Sequence, residues 1–550
     1  MLCAAIKGSF FLINCTFGRR EYTLMSTNVS KQKREDLLAK IKAIRTYIAT
    51  APQNENTANL LAYLSELEKD VGAKKYGLVF EEHREEIDEV LSTHTPVLTE
   101  DGSLFIDNGG QMNFLIEGDN LASLRMLEKT HRGRIDVIYI DPPYNTGKEF
   151  VYNDDIVDTI DTFRHSKWLS FMSVRLNIAR NLLSERGVIF LSIDDNEHSQ
   201  LKLLADEIFS ENNFVADFCV IRAEGGGLAK QVIKGHDYCL VYAKNISKFT
   251  PLAKPKDIRG KIVERNGKKY WIQEDWLRKE FGKYGNCHYE ELLEYKGQEF
   301  KDEIDEGLRN GDYVLIPKSN GMNIIGKLRS LETDSSKFYS ILKHLNKNGV
   351  NELKEIGVKF DYPKPLSLIT ELVSGATFFN RTATILDFFA GSGTTGHAVM
   401  KLNAEDGGSR RFILCTNNEN NICREVTYER IKRVIDKEGY AASLKYFKAD
   451  YIPVSERMYY EYADELLAHI RELVELENGI NFTGNAEVGI VLTEDELAEF
   501  IQNGEAFAKC RKLYMGHDLL PDEEQEKILR ARGVEISIIP DYYYRDLQEG

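Results

Sequence analysis

Apolar positions along the chain fall into two regimes, helical spacing near the N-terminus and short buried strands further on. Leu37, Leu38, Ile41, Ile44, Tyr47 and Ile48 recur at helical spacing over residues 34–50. Leu60, Leu61, Leu64 and Leu67 do the same over 57–70. Pro52-Gln-Asn-Glu-Asn lies between them and reads as a turn, so the pair predicts an antiparallel helical hairpin. It would serve either as a dimer contact or as a helper packed on the main domain.

The rhythm then becomes strand–helix. Asn113–Gly118 predicts a short strand, closed by Asp119 and followed by a helix from Asn120. Ile135-Asp-Val-Ile-Tyr-Ile is nearly continuous in apolar character, as strands are when a parallel sheet is covered on both faces, and it runs into Asp141. A helix over about 162–185 and a second buried strand, Gly187–Ile193, come next. Asp194-Asp-Asn-Glu and a helix to about 209 follow. Runs at 214–221 and 238–243 read as strands closing the sheet edge. Residues 245–361 lose this rhythm; they are polar and carry Trp271, Trp276 and many tyrosines. It returns at Thr384-Ile-Leu-Asp-Phe-Phe389, which runs into a glycine-rich turn, and continues with a strand at Phe412–Thr416 and a helix at about 423–438. The last 100 residues read as a small α/β unit with strands near 487–492, 511–515 and 534–539. Alternating strands and helices predict an α/β fold with a doubly wound, mostly parallel sheet.

At 550 residues the chain is too long for one core. The expected division is an N-terminal extension and hairpin (1–76), two halves of a main α/β domain (77–244 and 362–450), an inserted region (245–361) and a C-terminal unit (451–550). The net charge of −16 argues superficially against nucleic acid, but its distribution matters more. Residues 451–550 hold 22 acidic and 9 basic side chains, whereas 251–273 hold 7 basic and 2 acidic. Lys254, Lys256, Arg259, Lys261, Arg265, Lys268 and Lys269 are therefore candidate contacts to phosphates or bases, or else a solvated basic loop. None of the 8 cysteines forms a Cys-x-x-Cys pair, so no metal site is expected. No segment is apolar enough to span a membrane, and the cytoplasm is the expected compartment. The apolar stretch Met1–Phe17 is interrupted by Lys7 and Gly8 and lacks a clear small-residue cleavage site. An overextended start, with translation beginning at Met25, is expected over a signal peptide.

Two constellations carry chemistry. Asp141-Pro142-Pro143-Tyr144-Asn-Thr-Gly147 follows a buried strand at its carboxyl end, where α/β sheets place active sites. An exocyclic amine on a nucleobase is a weak nucleophile because its lone pair is delocalised. Two acceptors, the Asp141 carboxylate and the Pro142 carbonyl, can draw its N–H groups toward a tetrahedral arrangement. Pro142-Pro143 makes the loop rigid, and Tyr144 offers a flat face for an extruded base. The same residue types also make an ordinary strand-ending turn. Asp387-Phe-Phe389-Ala-Gly391-Ser-Gly393-Thr394 joins a strand to a helix. Its small residues let a ligand approach the backbone, and the helix start can face a carboxylate. Gly391-Ser392-Gly393-Thr394-Thr395-Gly396 fits a G-x-G-x-x-G frame, a turn that dinucleotides also use, whereas no Gly-Lys-Ser/Thr is present, which disfavours nucleoside triphosphates. Glu419, after the next strand, is placed to accept from ribose hydroxyls or is simply a solvated acid. Asp119 is either a ligand for a cofactor's amino group or a helix N-cap. Lys364-Pro365 either closes a cofactor pocket or punctuates a helix start.

Together these segments resemble the amino-methyltransferases of DNA, in the class whose catalytic motif precedes the cofactor motif. The resemblance covers about residues 100–440 and includes Gly118-Asp-Asn-Leu121, Asp141–Tyr144, Gly187–Asp194, His236–Tyr242, Lys364-Pro365 and Phe389–Gly393. Ile138–Gly147 with Phe150-Val-Tyr-Asn-Asp154 is similar to the modification subunits of type III restriction–modification systems. The resemblance implies a Rossmann-like sheet of seven strands and S-adenosylmethionine as methyl donor. It also implies adenine N6 in duplex DNA as acceptor, a homodimer, and a separate restriction (helicase–nuclease) subunit. Asp141, Pro142 and Tyr144 would hold the flipped adenine. Phe389, Gly391 and Gly393 would line the methionine side, with Glu419 on the ribose and Asp119 on the cofactor adenine. A family member often has Asp-Pro-Phe where this chain has Asp387-Phe-Phe389. A solitary methyltransferase and a silent DNA-recognition subunit are the competing readings.

Overall fold

A computed structural model describes residues 29–50, 55–72, 78, 80–146, 163–225, 231–258, 260–280, 285–454, 465–517, 519–540 and 542. The Met1–Phe17 stretch, Met25, Gly147, the 150–154 segment and Arg259 lie outside them. The chain divides into two compact units, Met1–Val79 and Phe80–Gly550. In the first, helices Val29–Ala49 and Glu55–Gly72 pair, with Ile41 and Leu64 buried and Arg45 reaching Glu68 at 3.0 Å.

The second unit is organised by a sheet of ten strands. In chain order these are β1 (His94–Glu100), β2 (Gln111–Glu117), β3 (Ile135–Ile140), β4 (Leu183–Ile193), β5 (Phe214–Ile221), β6 (His236–Ala243), β7 (Ile341–Lys343), β8 (Thr384–Asp387), β9 (Arg411–Thr416) and β10 (Ala442–Pro453). Their spatial order is β1-β10-β2-β9-β8-β3-β4-β6-β5-β7. The central six, from β10 to β4, are all parallel. The sheet is thus wider than seven strands. The runs read as edge strands are present, but β7, arriving from the far end of the insertion, pairs parallel to β5 and forms the edge itself.

The apolar pattern of β3 explains its central position. Val137 and Tyr139 join one apolar cluster with helices Leu366–Ala376, Thr394–Asp406 and Glu429–Glu438. The alternate residues, Ile138 and Ile140, are equally buried, so both faces of the strand are covered. Helices Asn120–His131 and Arg164–Leu182 contribute Leu121, Leu124, Leu127, Trp168, Met172 and Leu176 to the interior.

Within the insertion, Ile262–Arg265, Lys268–Gln273, Asn323–Ser330 and Tyr313–Pro317 form an antiparallel four-stranded sheet. Its first hairpin turns at Asn266 and Gly267, whose φ values of 52° and 73° are those of the two-residue turn favoured by Asn-Gly. The C-terminal residues form a three-stranded parallel sheet, Val488–Val491, Lys512–Met515 and Glu535–Ile538. Buried Lys445 on β10 pairs with buried Glu475 and with Glu100 at 3.0 Å, tying helix Ile470–Asn478, which carries Glu475, to the large sheet. Among the described residues, no helix is long and apolar enough to cross a membrane.

Candidate active site

Strand order decides where a ligand can sit. From β3 the chain passes to β4 on one side, whereas β8 lies on the other side of β3 and leads to β9, farther away. The gap between β3 and β8 is therefore a topological switch point, where the loops leaving the two strands diverge and open a crevice. Val137 and Ile138 are in register with Ile385 and Leu386. Asp141 and Asp387 consequently emerge from neighbouring strands at the same edge, although 246 positions separate them in the chain (387 − 141).

Lys364 bridges the two loops. Its Nζ lies 3.2 Å from Asp141 Oδ1 and donates to the Tyr144 hydroxyl, while its carbonyl accepts from Thr394 Oγ1 at 3.4 Å. The Tyr144 hydroxyl donates to Asp141 Oδ1 at 2.7 Å. Both partners of Asp141 thus sit on Oδ1, and among the described residues Oδ2 is the lobe left for an incoming N–H. Behind Lys364, Asp237 Oδ2 lies at 3.9 Å and is itself paired through Oδ1 with Arg222 at 2.9 Å. Burial opposes the charge on Lys364, but Asp141 and Asp237 outweigh it and hold the ammonium above its usual pKa. Burial, then the Asp141 and Asp237 charges, push the Tyr144 hydroxyl well up, so it remains a donor.

The loop carrying Asp141 is held from below. Trp168 is fully buried, and its indole N–H donates to the Pro143 carbonyl at 2.7 Å. Asn145 takes φ of 55° and donates to Glu197 Oε1 at 2.7 Å. His165 meets the same oxygen at 2.7 Å. Pro142 is buried and Tyr144 half-buried.

The glycine-rich loop is equally constrained. Asp387, 3% exposed, accepts from the Phe389 N–H at 3.0 Å and from the Thr395 hydroxyl at 2.5 Å. Burial raises its carboxyl to about 7, and the nearby Asp141 charge adds to this. Gly391 and Gly393 take φ of 48° and 75°, in the left-handed region, and a Cβ on Gly393 would lie 3.2 Å from Thr427 Cγ2. The helix beginning at Thr394 has no side-chain cap. The half-buried Phe389 ring lies 5.8 Å from Phe171, and the Arg175 guanidinium covers the latter at 3.7 Å.

The remaining candidates are less closely joined. Asp119 caps helix Asn120–His131 by accepting from the Leu121 N–H at 2.7 Å and lies 3.8 Å from Arg175. Pro365 is the residue before helix Leu366–Ala376. Glu419 is exposed in the turn after β9, and no described hydrogen bond or ion pair links it to the other candidates. In the insertion, Lys268 and Lys269 are exposed beside the Asn266–Gly267 turn, with Arg265 exposed on the neighbouring strand and Lys261 exposed just before it. The Arg265 Nη1 donates to the Gly311 carbonyl at 3.0 Å. Lys256 lies 3.8 Å from Asp334 and covers the Trp271 ring at 5.5 Å. Lys254 lies over Phe338 and Tyr339.

Trp168, Arg222 and Asp237 escaped the sequence reading as site residues. Asp237 had a visible signal, an acid inside the otherwise apolar strand His236–Ala243. Trp168 had none, since a tryptophan in an apolar helix reads as core.

The chain belongs to the DNA methylase family, which matches residues 135–428. Among curated relatives, it is 33% identical over 394 residues to the EcoPI Mod subunit of a type III restriction–modification enzyme from Escherichia phage P1, covering 57% of this chain and 58% of that one. It is 34% identical to the StyLTI Mod subunit of Salmonella typhimurium over 60% of this chain and 58% of that one. It is also 34% identical to the type II methyltransferase M.KpnI of Klebsiella pneumoniae over 55% of this chain and 79% of that one. The chain therefore spans somewhat over half the length of the type III subunits it matches.

Proposed function

We propose that this protein transfers a methyl group from S-adenosylmethionine to the N6 amino group of an adenine extruded from duplex DNA. The observation that carries the reading is the bridge made by Lys364. Its side chain engages Asp141 and Tyr144, and its backbone engages Thr394, across a switch-point crevice. One wall can grip an amine and the other can take a cofactor.

The residues present fit the cofactor. The left-handed Gly391–Gly393 turn makes a cradle that a Cβ would strain, the uncapped helix start offers N–H groups, and Phe389 exposes part of an aromatic face. Asp387 shapes the turn, Asp119 and Glu419 stand on the same sheet edge, and Lys364-Pro365 closes the pocket. When bound, S-adenosylmethionine supplies an electrophilic methyl on a sulfonium. Asp141 Oδ2 accepts one N6 hydrogen and the Pro142 carbonyl the other, which frees the nitrogen lone pair for in-line attack. Pro143, locked by Trp168, keeps that carbonyl in place, and Tyr144 stacks on the purine. An aspartate at position 141 favours adenine over cytosine. Base extrusion costs a few kcal/mol, offset by stacking and polar contacts. Lys254, Lys256, Lys261, Arg265, Lys268 and Lys269 contact the DNA.

The likeness to type III Mod subunits supports a modification subunit; the proposed assembly is a cytoplasmic homodimer acting beside a separate helicase–nuclease. The second reading is a solitary methyltransferase without a restriction partner. Long-read sequencing of host DNA with and without this gene tests the activity. N6-methyladenine at one sequence context, lost with the gene or with the Asp141→Asn variant, is the expected result. Unchanged methylation overturns the proposal.

A further inference from the structure

Behind the glycine-rich turn lies a cation that the reaction above does not use. Arg430 is 1% exposed. Its Nη1 donates to Thr394 Oγ1 at 2.7 Å, to Ser392 Oγ at 3.1 Å and to the Ser392 carbonyl at 3.4 Å. Its Nη2 meets His397 Nδ1 at 3.4 Å. Every one of these partners is neutral, since burial, with Arg430 adding, lowers the His397 pKa to about 3. The Nε is buried and has no hydrogen-bond partner among the described residues. Among the described residues no carboxylate lies within ion-pair distance of this guanidinium. Glu352, the acid that acts on it electrostatically, spends Oε2 on the Leu366 N–H at 2.9 Å. Burial lowers the guanidinium pKa to about 10, which still leaves it charged at neutral pH.

A buried charge without a counter-charge costs several kcal/mol, and proteins retain one where something else supplies the opposite sign. Here the charge stands directly behind the first residue of helix Thr394–Asp406, whose N-cap, Gly393, has no capping side chain. The open N–H groups at that helix start and the guanidinium act in the same direction, toward an anion in the turn.

We propose that Arg430 is the charge behind a carboxylate-binding turn, which selects cofactors and analogues that carry the amino-acid end. Arg430 does not touch the ligand; it positions the Ser392 and Thr394 hydroxyls and supplies positive potential through them. The inference rests on the cofactor reading given above, and the test separates the two. Binding of S-adenosylhomocysteine and of 5′-methylthioadenosine, which lacks the amino-acid group, is measured by calorimetry on the full chain and on Arg430→Gln. Glutamine keeps an N–H donor for Thr394 while removing the charge.

The wild type should prefer S-adenosylhomocysteine, and Arg430→Gln should lose at least fivefold of that preference while holding 5′-methylthioadenosine within about twofold. A purely structural role would weaken both ligands alike and leave the ratio intact, which overturns the inference. Should the glutamine variant not fold, Arg430→Lys decides. It must keep the preference within about twofold, and a folded lysine variant that loses it refutes the role of charge. A wild type that binds neither ligand instead overturns the cofactor reading.

Discussion

Replacing Asp141 by Asn tests the catalytic geometry more severely than removing the side chain. Asp141 Oδ1 receives both the Tyr144 hydroxyl and the Lys364 ammonium. These two donors will orient an asparagine with its carbonyl oxygen toward them, which turns its NH2 into the place of Oδ2. The incoming amine then meets a donor where it needs an acceptor. Loss of one preorganised polar partner in an active site costs roughly 10²–10³ in rate. Opposing two buried donors adds about 1–3 kcal/mol, so the expected fall is about 10³–10⁵ in single-turnover rate. Folding should survive. At an effective dielectric near 20, charges 3.2 Å apart attract by about 5 kcal/mol and charges 3.9 Å apart by about 4 kcal/mol, before desolvation. Asp237 therefore retains nearly half of the attraction on Lys364, and a net loss of roughly 1–3 kcal/mol is expected. The assay is single-turnover transfer of labelled methyl to duplex DNA, with cofactor affinity measured alongside. A variant that keeps more than a tenth of the wild-type rate refutes the assignment of Oδ2 as acceptor.

Further outcomes follow from the same geometry. Trp168→Phe removes the donor to the Pro143 carbonyl; the transfer rate should fall by about tenfold or more and the thermal midpoint slightly, about 1 kcal/mol of stability, and an unchanged rate would show that the loop needs no such support. Gly393→Ala forces a Cβ into the left-handed region at 3.2 Å from Thr427, so folding stability should drop by roughly 1–2 kcal/mol, read as a lower thermal midpoint, and an unchanged midpoint would show that the turn relaxes freely. Asp387 has a carboxyl raised to about 7 by burial. Its contribution to stability is full below pH 4 and is lost as pH rises through 7, by up to about 4 kcal/mol. Asp387→Asn, which can still accept from the Phe389 N–H, should flatten the decline in thermal midpoint between pH 5 and 8, and an unaltered decline would place its cause elsewhere. Replacing Lys268 and Lys269 together by alanine should weaken DNA binding and reduce the slope of log affinity against log salt by about 2; unchanged binding removes the hairpin from the interface.

The strands were legible where one physical signal dominated. Ile135–Ile140 announced itself because a strand covered on both faces has few polar positions to spare, and its observed ends match the apolar run. The three C-terminal strands likewise appear within a residue or two of their expected places. The hairpin at Asn266–Gly267 carries a strong turn dipeptide, but its flanking strands are short and mostly exposed, so no alternating apolar pattern marks them in the sequence. Strand β7 is three residues long, and its place beside β5 is set by chain return from the insertion. A local pattern holds no information about that.

The site shows the same division. Asp141, Tyr144 and the turn glycines stood out in sequence as candidates because their chemistry is unusual for their position in the chain, and the structure brings them to one crevice. Trp168 and Arg430 were not, because each looks ordinary in sequence and matters only through what it touches. Lys364 is the instructive intermediate. Its Lys-Pro context pointed to a pocket-closing role on the cofactor side, whereas its ammonium sits on the Asp141 carboxylate and only its backbone reaches the turn. One residue thereby couples two loops that the permuted chain order keeps far apart. The switch point between β3 and β8 makes this coupling independent of motif order, since adjacent parallel strands deliver their carboxyl ends to the same crevice whichever is synthesised first.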